Sequence, residues 1–129
     1  MTVHIRPART ADIRDIRALV APLAERRVLL EKEAVAYYES VADFIVAEDD
    51  SGVVGCGAVH VLWEDLGEIR TLAVHDNLLG SGLGSRLLDT LIERARELGV
   101  SRLFCLTFET DFFARHGFEP IEGQAVTPE

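Results

Sequence analysis

The sequence predicts a mixed α/β fold of the α+β kind, in which a mostly antiparallel sheet is flanked by helices. Two patterns predict it: segments in which apolar and polar residues alternate indicate strands, and segments with apolar residues three and four positions apart indicate amphipathic helices. In chain order these segments follow β-α-α-β-β-β-α-β-α-β. The chain has 129 residues, 48% of them apolar, which is enough to bury one core. We therefore expect residues 1–129 to form a single domain.

The first half of the chain supplies one strand, two helices and two further strands. Pro7 ends the first strand, and Thr10 is the expected N-cap of the first helix, with Asp12 in the first turn where the helix dipole favours a negative charge. Gly55 and Gly57 are expected to allow close packing. The predicted elements are a strand at Thr2–Arg6, a helix from Thr10 to about Arg27, a helix at about 33–41, and strands at 44–48 and 53–63.

The second half alternates strands with helices. Gly99 is expected to end the long helix as its C′ residue, and Gly117 to end the short one. The predicted elements are a strand at 68–75, a helix from the glycine-rich turn to about Leu98, a buried strand at 102–107, a short helix at 110–116, and a last strand that begins at 118–121.

Composition excludes several classes of function. The net charge of −9 argues against a nucleic-acid surface, which needs clustered basic residues. No apolar run approaches the ~20 residues that span a bilayer, and no signal-peptide pattern opens the chain, so we expect no membrane partner and a cytoplasmic location. Cys56 and Cys105 each lie in an apolar run and are expected to be buried thiols. Since neither these nor the four histidines have metal-ligand spacing, no metal is predicted.

A glycine-rich turn between a strand and a helix is the most informative segment. It reads Leu79-Gly80-Ser81-Gly82-Leu83-Gly84-Ser85-Arg86. At such a turn, backbone N–H groups and the helix dipole can hold a phosphate, and Ser85 and Arg86 can add donors. The alternative is a tight turn that binds nothing. A dinucleotide-binding fingerprint needs the spacing G-x-G-x-x-G, and a P-loop needs a lysine; the turn has neither.

The element order and this turn together resemble the GCN5-related N-acetyltransferase (GNAT) superfamily. Its acetyl-CoA signature maps onto Leu79, Gly82 and Gly84, with Leu79 in place of the usual Arg or Gln, and Phe112–Phe118 resembles its short helix and following strand. Three further blocks, at 29–32, 54–74 and 106–113, resemble short stand-alone bacterial N-acetylglutamate synthases. The resemblance implies acetyl-CoA as co-substrate and an amino acid as acceptor. It also leaves a homodimer open, because dimers are common among such enzymes.

Glu68 is the candidate general base, acting directly or through a water. By period-2 alternation Glu68, Arg70 and Leu72 share one strand face, so a carboxylate and a guanidinium are expected to project together. The resemblance supports this role, since those synthases place a carboxylate at this position. A purely structural ion pair between Glu68 and Arg70 is the alternative. Arg70 is the first choice for binding an acceptor carboxylate, because its planar fork binds carboxylates bidentately. Lys32 and Arg27 are the second choices, with a solvated surface charge as the equal alternative for each.

The remaining roles follow from what acyl transfer requires. The backbone near Leu72 is expected to polarise the acetyl carbonyl, and Thr107 to position a water or the thiolate, with ordinary strand propensity as the alternative. Phe113 stands where many superfamily members have a tyrosine that protonates the leaving thiolate. The predicted cofactor-binding residues are Leu72, Ala73 and Val74, which would pair with the pantetheine arm as an added strand, the turn residues Leu79, Gly80, Ser81, Gly82, Leu83, Gly84, Ser85 and Arg86 at the pyrophosphate, and Phe113.

The resemblance thus implies an acetyltransferase that moves the acetyl group of acetyl-CoA to the α-amine of L-glutamate, the first step of arginine biosynthesis. Two alternatives remain: the same chemistry on glutamine, another amino acid or an amine, and a catalytically poor module that senses acyl-CoA. Phe113 favours the sensing module slightly. Glu68 and Arg70 argue against it, because a sensor needs neither a base nor a clamp for an acceptor.

Overall fold

The computed structural model describes residues 2–25, 34–107 and 109–121. Within them, five strands and four α-helices alternate in the predicted order up to the last strand, with short 3₁₀ turns at Thr10–Asp12, Val41–Asp43 and Asp76–Leu78. The strands are β1 (His4–Pro7), β2 (Phe44–Asp49), β3 (Gly52–Trp63), β4 (Leu66–Val74) and β5 (Arg102–Cys105), and the helices are α1 (Ile13–Glu25), α2 (Ala34–Glu39), α3 (Leu83–Leu98) and α4 (Thr110–Ala114).

The strands form one sheet in the order β1-β2-β3-β4-β5. Neighbouring strands from β1 to β4 are antiparallel, and β5 is parallel to β4. This arrangement confirms the predicted mixed, mostly antiparallel sheet. The single parallel pair follows from the crossover through α3, because a strand that returns by a helix enters the sheet in the same direction.

Two apolar cores lie on opposite faces of the sheet. On one face, α3 packs Leu87 and Leu91 against residues of β2, β3 and β4, including Ile69. On the other face, Ile13 and Ile16 of α1 pack against inward residues of the same strands. We refer to these as the α3 face and the α1 face. No helix in the described part of the chain is long and apolar enough to cross a membrane.

Close packing of β3 against α3 depends on two glycines. A Cβ added at Gly55 would lie 2.9 Å from the Leu87 Cδ1 atom, and one added at Gly57 would lie 2.8 Å from the Leu91 Cδ1 atom. Both distances are shorter than ordinary carbon contacts, so only glycine lets the helix approach this closely. The prediction of close packing here is confirmed, and the packing partner is helix α3.

Two details of the predicted elements are wrong. Thr10 does not cap α1: it begins the 3₁₀ turn, and the Asp12 carboxylate accepts the Arg9 backbone N–H at 2.7 Å because that N–H precedes the turn and needs an acceptor. Residues 118–121 form no strand. The Phe118 N–H donates to the Phe113 carbonyl and so closes the end of α4, and Pro120 has no N–H to donate.

Candidate active site

An ion pair on β4 is the centre of the candidate site. The Arg70 Nε–H donates to the Glu68 Oε1 atom at 2.6 Å, and the two side chains are 35% and 11% exposed. Glu68 and Arg70 lie opposite His60 and Ala58 of β3, and Ala58 belongs to the core on the α1 face. The predicted projection of a carboxylate and a guanidinium on one face is therefore present in the structure, as a contact pair near the rim of the core.

The prediction that Leu72 shares this face is wrong. Ala73 pairs with Cys56 and Arg70 with Ala58, so β4 has one residue more than β3 across this stretch. Such a bulge shifts the alternation of side chains by one. The extra residue is accommodated at Thr71, whose φ is +55°. Leu72 consequently packs against the core on the α3 face, with its Cδ1 atom 3.1 Å from where a Gly57 Cβ would lie.

Beyond the ion pair, β4 separates from β5. The last paired residues are Ile69 and Cys105, and no pairing with β5 is recorded for residues 70–74 in the described chain. On that side the backbone of Leu72, Ala73 and Val74 therefore presents hydrogen-bonding groups to an opening between the strands. An open strand edge of this kind can be extended by an elongated ligand, so the geometry fits the predicted pantetheine site.

The glycine-rich turn has the conformation that an anion site requires. Gly80 and Gly82 have φ of +80° and +88°, and Gly82, which has no side chain of its own, is the N-cap of α3, while the Ser81 Oγ atom accepts the Leu83 N–H at 3.4 Å. Gly84 lies inside α3, where an added Cβ would lie 3.5 Å from the Phe112 ring and 3.9 Å from Val74. The first turn of α3 thus lies against α4 and the end of β4, and its dipole favours a negative charge at this position.

The side chains of the turn are less available than the backbone. The Ser81 hydroxyl donates to the Leu78 carbonyl at 2.6 Å, and Arg86 donates to the Val3 carbonyl at 3.2 Å. Leu83 is buried in the core, whereas Leu79 is 67% exposed. Any phosphate contact from this segment would therefore come mainly from backbone N–H groups, including that of the half-buried Ser85.

Thr107 and Phe113 both line an apolar groove beside β5 and α4. Thr107 follows β5, which ends two residues earlier than predicted, and its hydroxyl oxygen accepts the Glu109 N–H at 2.8 Å. The hydroxyl proton is then left for another acceptor. Phe113 is buried, with its ring packed edge-on to those of Phe112 and Phe118.

The two cysteines differ in their surroundings. Cys56 is fully buried as predicted, but Cys105 is only half-buried and lines the groove beside β5. Partial burial, together with the nearby charge of Glu68, raises the pKa of the Cys105 thiol to about 11. Because thiolate is the reactive form, this thiol should react only slowly at neutral pH.

Sequence reasoning missed the side chain of His60. Its Nδ1 atom lies 2.8 Å from the Asp43 Oδ2 atom, and it stands opposite Glu68 on the α1 face. Counting out from the turn at Glu64-Asp65 would place Val61 opposite Glu68, and an irregularity between Val61 and Trp63 brings His60 there instead, so the alternation of the strands gave no signal for it. Among the described residues, no three His, Cys, Asp or Glu side chains are grouped to hold a metal ion.

Lys32 and Arg27, the second choices for binding an acceptor carboxylate, lie outside the described residues.

Comparison with known proteins identifies the family of the chain. Residues 12–118 match the acetyltransferase (GNAT) family. An amino-acid acetyltransferase of Mycobacterium tuberculosis is 53% identical over 97% of this chain and 73% of its own length, and one of Neisseria meningitidis is 40% identical over 91% of this chain. The chain spans only 27% of the Neisseria protein.

Two solved structures show the same fold with ligands. Rv2747 from Mycobacterium tuberculosis, in complex with CoA and NLQ, superposes with a TM-score of 0.90 at 53% identity, covering 96% of this chain and 76% of that one. N-acetylglutamate synthase from Neisseria gonorrhoeae, complexed with coenzyme A and N-acetyl-glutamate, gives 0.85 at 37% identity, covering 90% and 28%. The chain therefore belongs to the acetyltransferase (GNAT) family and is an acetyl-CoA-dependent acetyltransferase with amino-acid acetyltransferases among its relatives.

Proposed function

We propose that the chain transfers the acetyl group of acetyl-CoA to the α-amine of L-glutamate, as the first step of arginine biosynthesis. The observation that carries the proposal is the Glu68–Arg70 ion pair, which lies where β4 leaves β5. A base and a carboxylate clamp are then adjacent to the opening that would hold the thioester. Homology to proteins named amino-acid acetyltransferase, and to a synthase solved with N-acetyl-glutamate, supports this choice of acceptor.

The base accepts a proton and the clamp orients the acceptor. The second carboxylate oxygen of Glu68 takes a proton from the substrate ammonium, directly or through a water, and the free amine attacks the acetyl carbonyl. Arg70 uses only Nε towards Glu68, so its two terminal nitrogens remain for the α-carboxylate of the acceptor. Lys32 and Arg27 stay candidates for further carboxylate contacts.

Charge that develops on the acetyl oxygen needs a fixed donor. A backbone N–H near Leu72 is the proposed donor, because the bulge at Thr71 re-aims the backbone at this point. The open backbone edge from Leu72 to Val74 would bind the pantetheine arm, and the first turn of α3 the pyrophosphate. Phe113 has no proton to give, so the sulfur leaves as a thiolate, and the Thr107 hydroxyl would hold it or a water.

The test is release of free thiol from acetyl-CoA by the purified protein, with L-glutamate, L-glutamine, L-aspartate and L-lysine as acceptors. Turnover is expected with glutamate. Glu68→Gln should lower kcat about 10²- to 10⁴-fold and leave CoA binding intact. The matched control is Glu97→Gln, at an exposed position on α3, which should change neither kcat nor CoA binding. Equal rates for Glu68→Gln and the unchanged protein would remove Glu68 from the role of base.

The same assay separates three functions: acetylation of glutamate, acetylation of another acceptor, and sensing of acyl-CoA without turnover. Turnover confined to another acceptor would retain the chemistry and change the substrate. CoA binding without turnover on any acceptor would favour the sensing module.

A further inference from the structure

Four ionisable side chains share a small area of the α1 face. Asp43 and His60 form one pair at 2.8 Å, and Glu68 and Arg70 form another at 2.6 Å. His60 and Glu68 are directly opposite in the antiparallel pairing of β3 with β4, so their Cβ atoms are about 5 Å apart. The two pairs are therefore neighbours, and only the second has a place in the proposed mechanism.

Asp43 determines which nitrogen of His60 is available to a ligand. A carboxylate is only an acceptor, so the Nδ1 atom of His60 carries the hydrogen in this contact. The Nε2 atom is then the one that a ligand can reach, on a side chain that is 36% exposed. When Nε2 also carries a proton, the ring donates from both nitrogens, and its positive charge is balanced by Asp43.

The charge balance of this area bears on which acceptor fits. Asp43 and Glu68 contribute two negative charges, against one positive charge from Arg70. A dicarboxylate acceptor would add two more negative charges and one ammonium. Among the described residues of this cluster, His60 is the one side chain that can supply a second positive charge. Without it, the described side chains favour an acceptor with a single carboxylate.

The spacing of the cluster matches the size of an amino acid. Residues two apart on a strand are separated by about 6.7 Å, and neighbouring strands by about 4.8 Å. Arg70, Glu68 and His60 thus occupy three corners of an area a few ångströms across. An acceptor with its ammonium at Glu68 and its α-carboxylate at Arg70 has its side chain within reach of His60.

We propose that His60, held by Asp43, binds the side-chain carboxylate of the acceptor and makes the enzyme prefer L-glutamate to L-glutamine. This inference rests on the proposed function and adds a specificity-determining residue to it. A charge-assisted hydrogen bond to the carboxylate would become an ordinary one with the amide of glutamine, and that difference discriminates between the two acceptors.

The experiment measures kcat and KM for both acceptors with the full chain and three variants. His60→Gln should lower kcat/KM for glutamate about ten- to a hundred-fold, mainly through KM, and change the value for glutamine less than about threefold. Asp43→Asn keeps the shape of the side chain and should also lower the ratio of kcat/KM for glutamate to kcat/KM for glutamine. His4→Gln, at an exposed position on β1, is the matched control and should leave kcat and KM unchanged for both acceptors.

A merely structural role for His60 would lower kcat/KM equally for both acceptors. If the ratio of kcat/KM for glutamate to that for glutamine is unchanged in both variants, the inference is overturned. If His60→Gln fails to fold, the ratio measured with Asp43→Asn decides. If the unchanged protein turns over neither acceptor, the proposed function fails, and the inference is then decided by calorimetric binding of the two amino acids to the CoA-loaded protein. Equal affinities for glutamate and glutamine would overturn it there.

Discussion

Two glycines with the same backbone conformation allow the proposed anion site to be tested apart from protein stability. Gly82 begins α3 and Gly99 ends it, with φ of +88° and +90°. An added Cβ would meet no atom within 4 Å at either position. The effect of alanine is therefore confined to the left-handed backbone, at about 1–2 kcal/mol for each residue. For a chain of this size, that corresponds to a fall in Tm of roughly 3–8 °C.

Binding of CoA should separate the two variants. Gly82→Ala distorts the first turn of α3, where backbone N–H groups are proposed to hold the pyrophosphate, so we expect at least a tenfold loss of CoA affinity. Gly99→Ala lies at the opposite end of the helix and should bind CoA as the unchanged protein does. Thermal melts and calorimetric titrations with CoA measure both effects. Equal CoA affinities in the two variants would refute the anion site, and clearly unequal melts without CoA would refute the strain reasoning.

Three other changes test the packing and electrostatics. Gly57→Ala places a Cβ 2.8 Å from a leucine of α3 and should lower the free energy of unfolding by about 1–3 kcal/mol in urea titrations; an unchanged midpoint would contradict it. Arg6 holds the pKa of Asp12 below its usual 3.8, so this ion pair stabilises the fold above about pH 4 and the contribution is lost as pH falls further. Asp12→Asn should therefore cost about 2 kcal/mol at pH 7 and flatten that acid loss, which chemical unfolding at several pH values would show. The Cys105 thiol, with its pKa raised to about 11, should react with iodoacetamide at pH 8 far more slowly than a free cysteine, and faster in Glu68→Gln; mass spectrometry that shows equal rates would rule out the influence of Glu68.

Periodicity predicted the elements of this fold because each has a buried face with a regular pattern. The leucines of α3 follow helical spacing, and Gly99 ends that helix as predicted, with its N–H bonded to the Ala95 and Arg96 carbonyls. The prediction of a last strand failed because one backbone N–H had two alternative acceptors. The Phe118 N–H closes α4 instead of joining a strand, and nothing in the alternation of residues 118–121 distinguishes these outcomes.

The candidate site was predictable in its residues and only partly in its geometry. Glu68 and Arg70 are two apart on a strand, so simple alternation was enough to bring them together. Leu72 was assigned to the wrong face because side chains alternate only while paired strands match residue for residue. The bulge adds one residue to β4, and no glycine in this stretch of β4 indicates where it occurs. His60 was missed because its partner Asp43 comes from a different element, and this contact exists only after the sheet has formed.

The bulge at Thr71 would allow one strand, β4, to serve both the proposed acceptor site and the proposed cofactor site. An uninterrupted β4 would keep Leu72 on the face of Glu68 and continue alongside β5, which would close the edge that the pantetheine arm needs. With one extra residue, Leu72 turns into the core on the α3 face, and the pairing with β5 ends at Ile69, between the two residues of the ion pair. The change has a cost, since a β-branched residue with φ of +55° is strained by about 1–3 kcal/mol. Strain that a glycine would relieve, held beside a nearly buried carboxylate, is more consistent with a site that requires this backbone shape than with a purely structural ion pair.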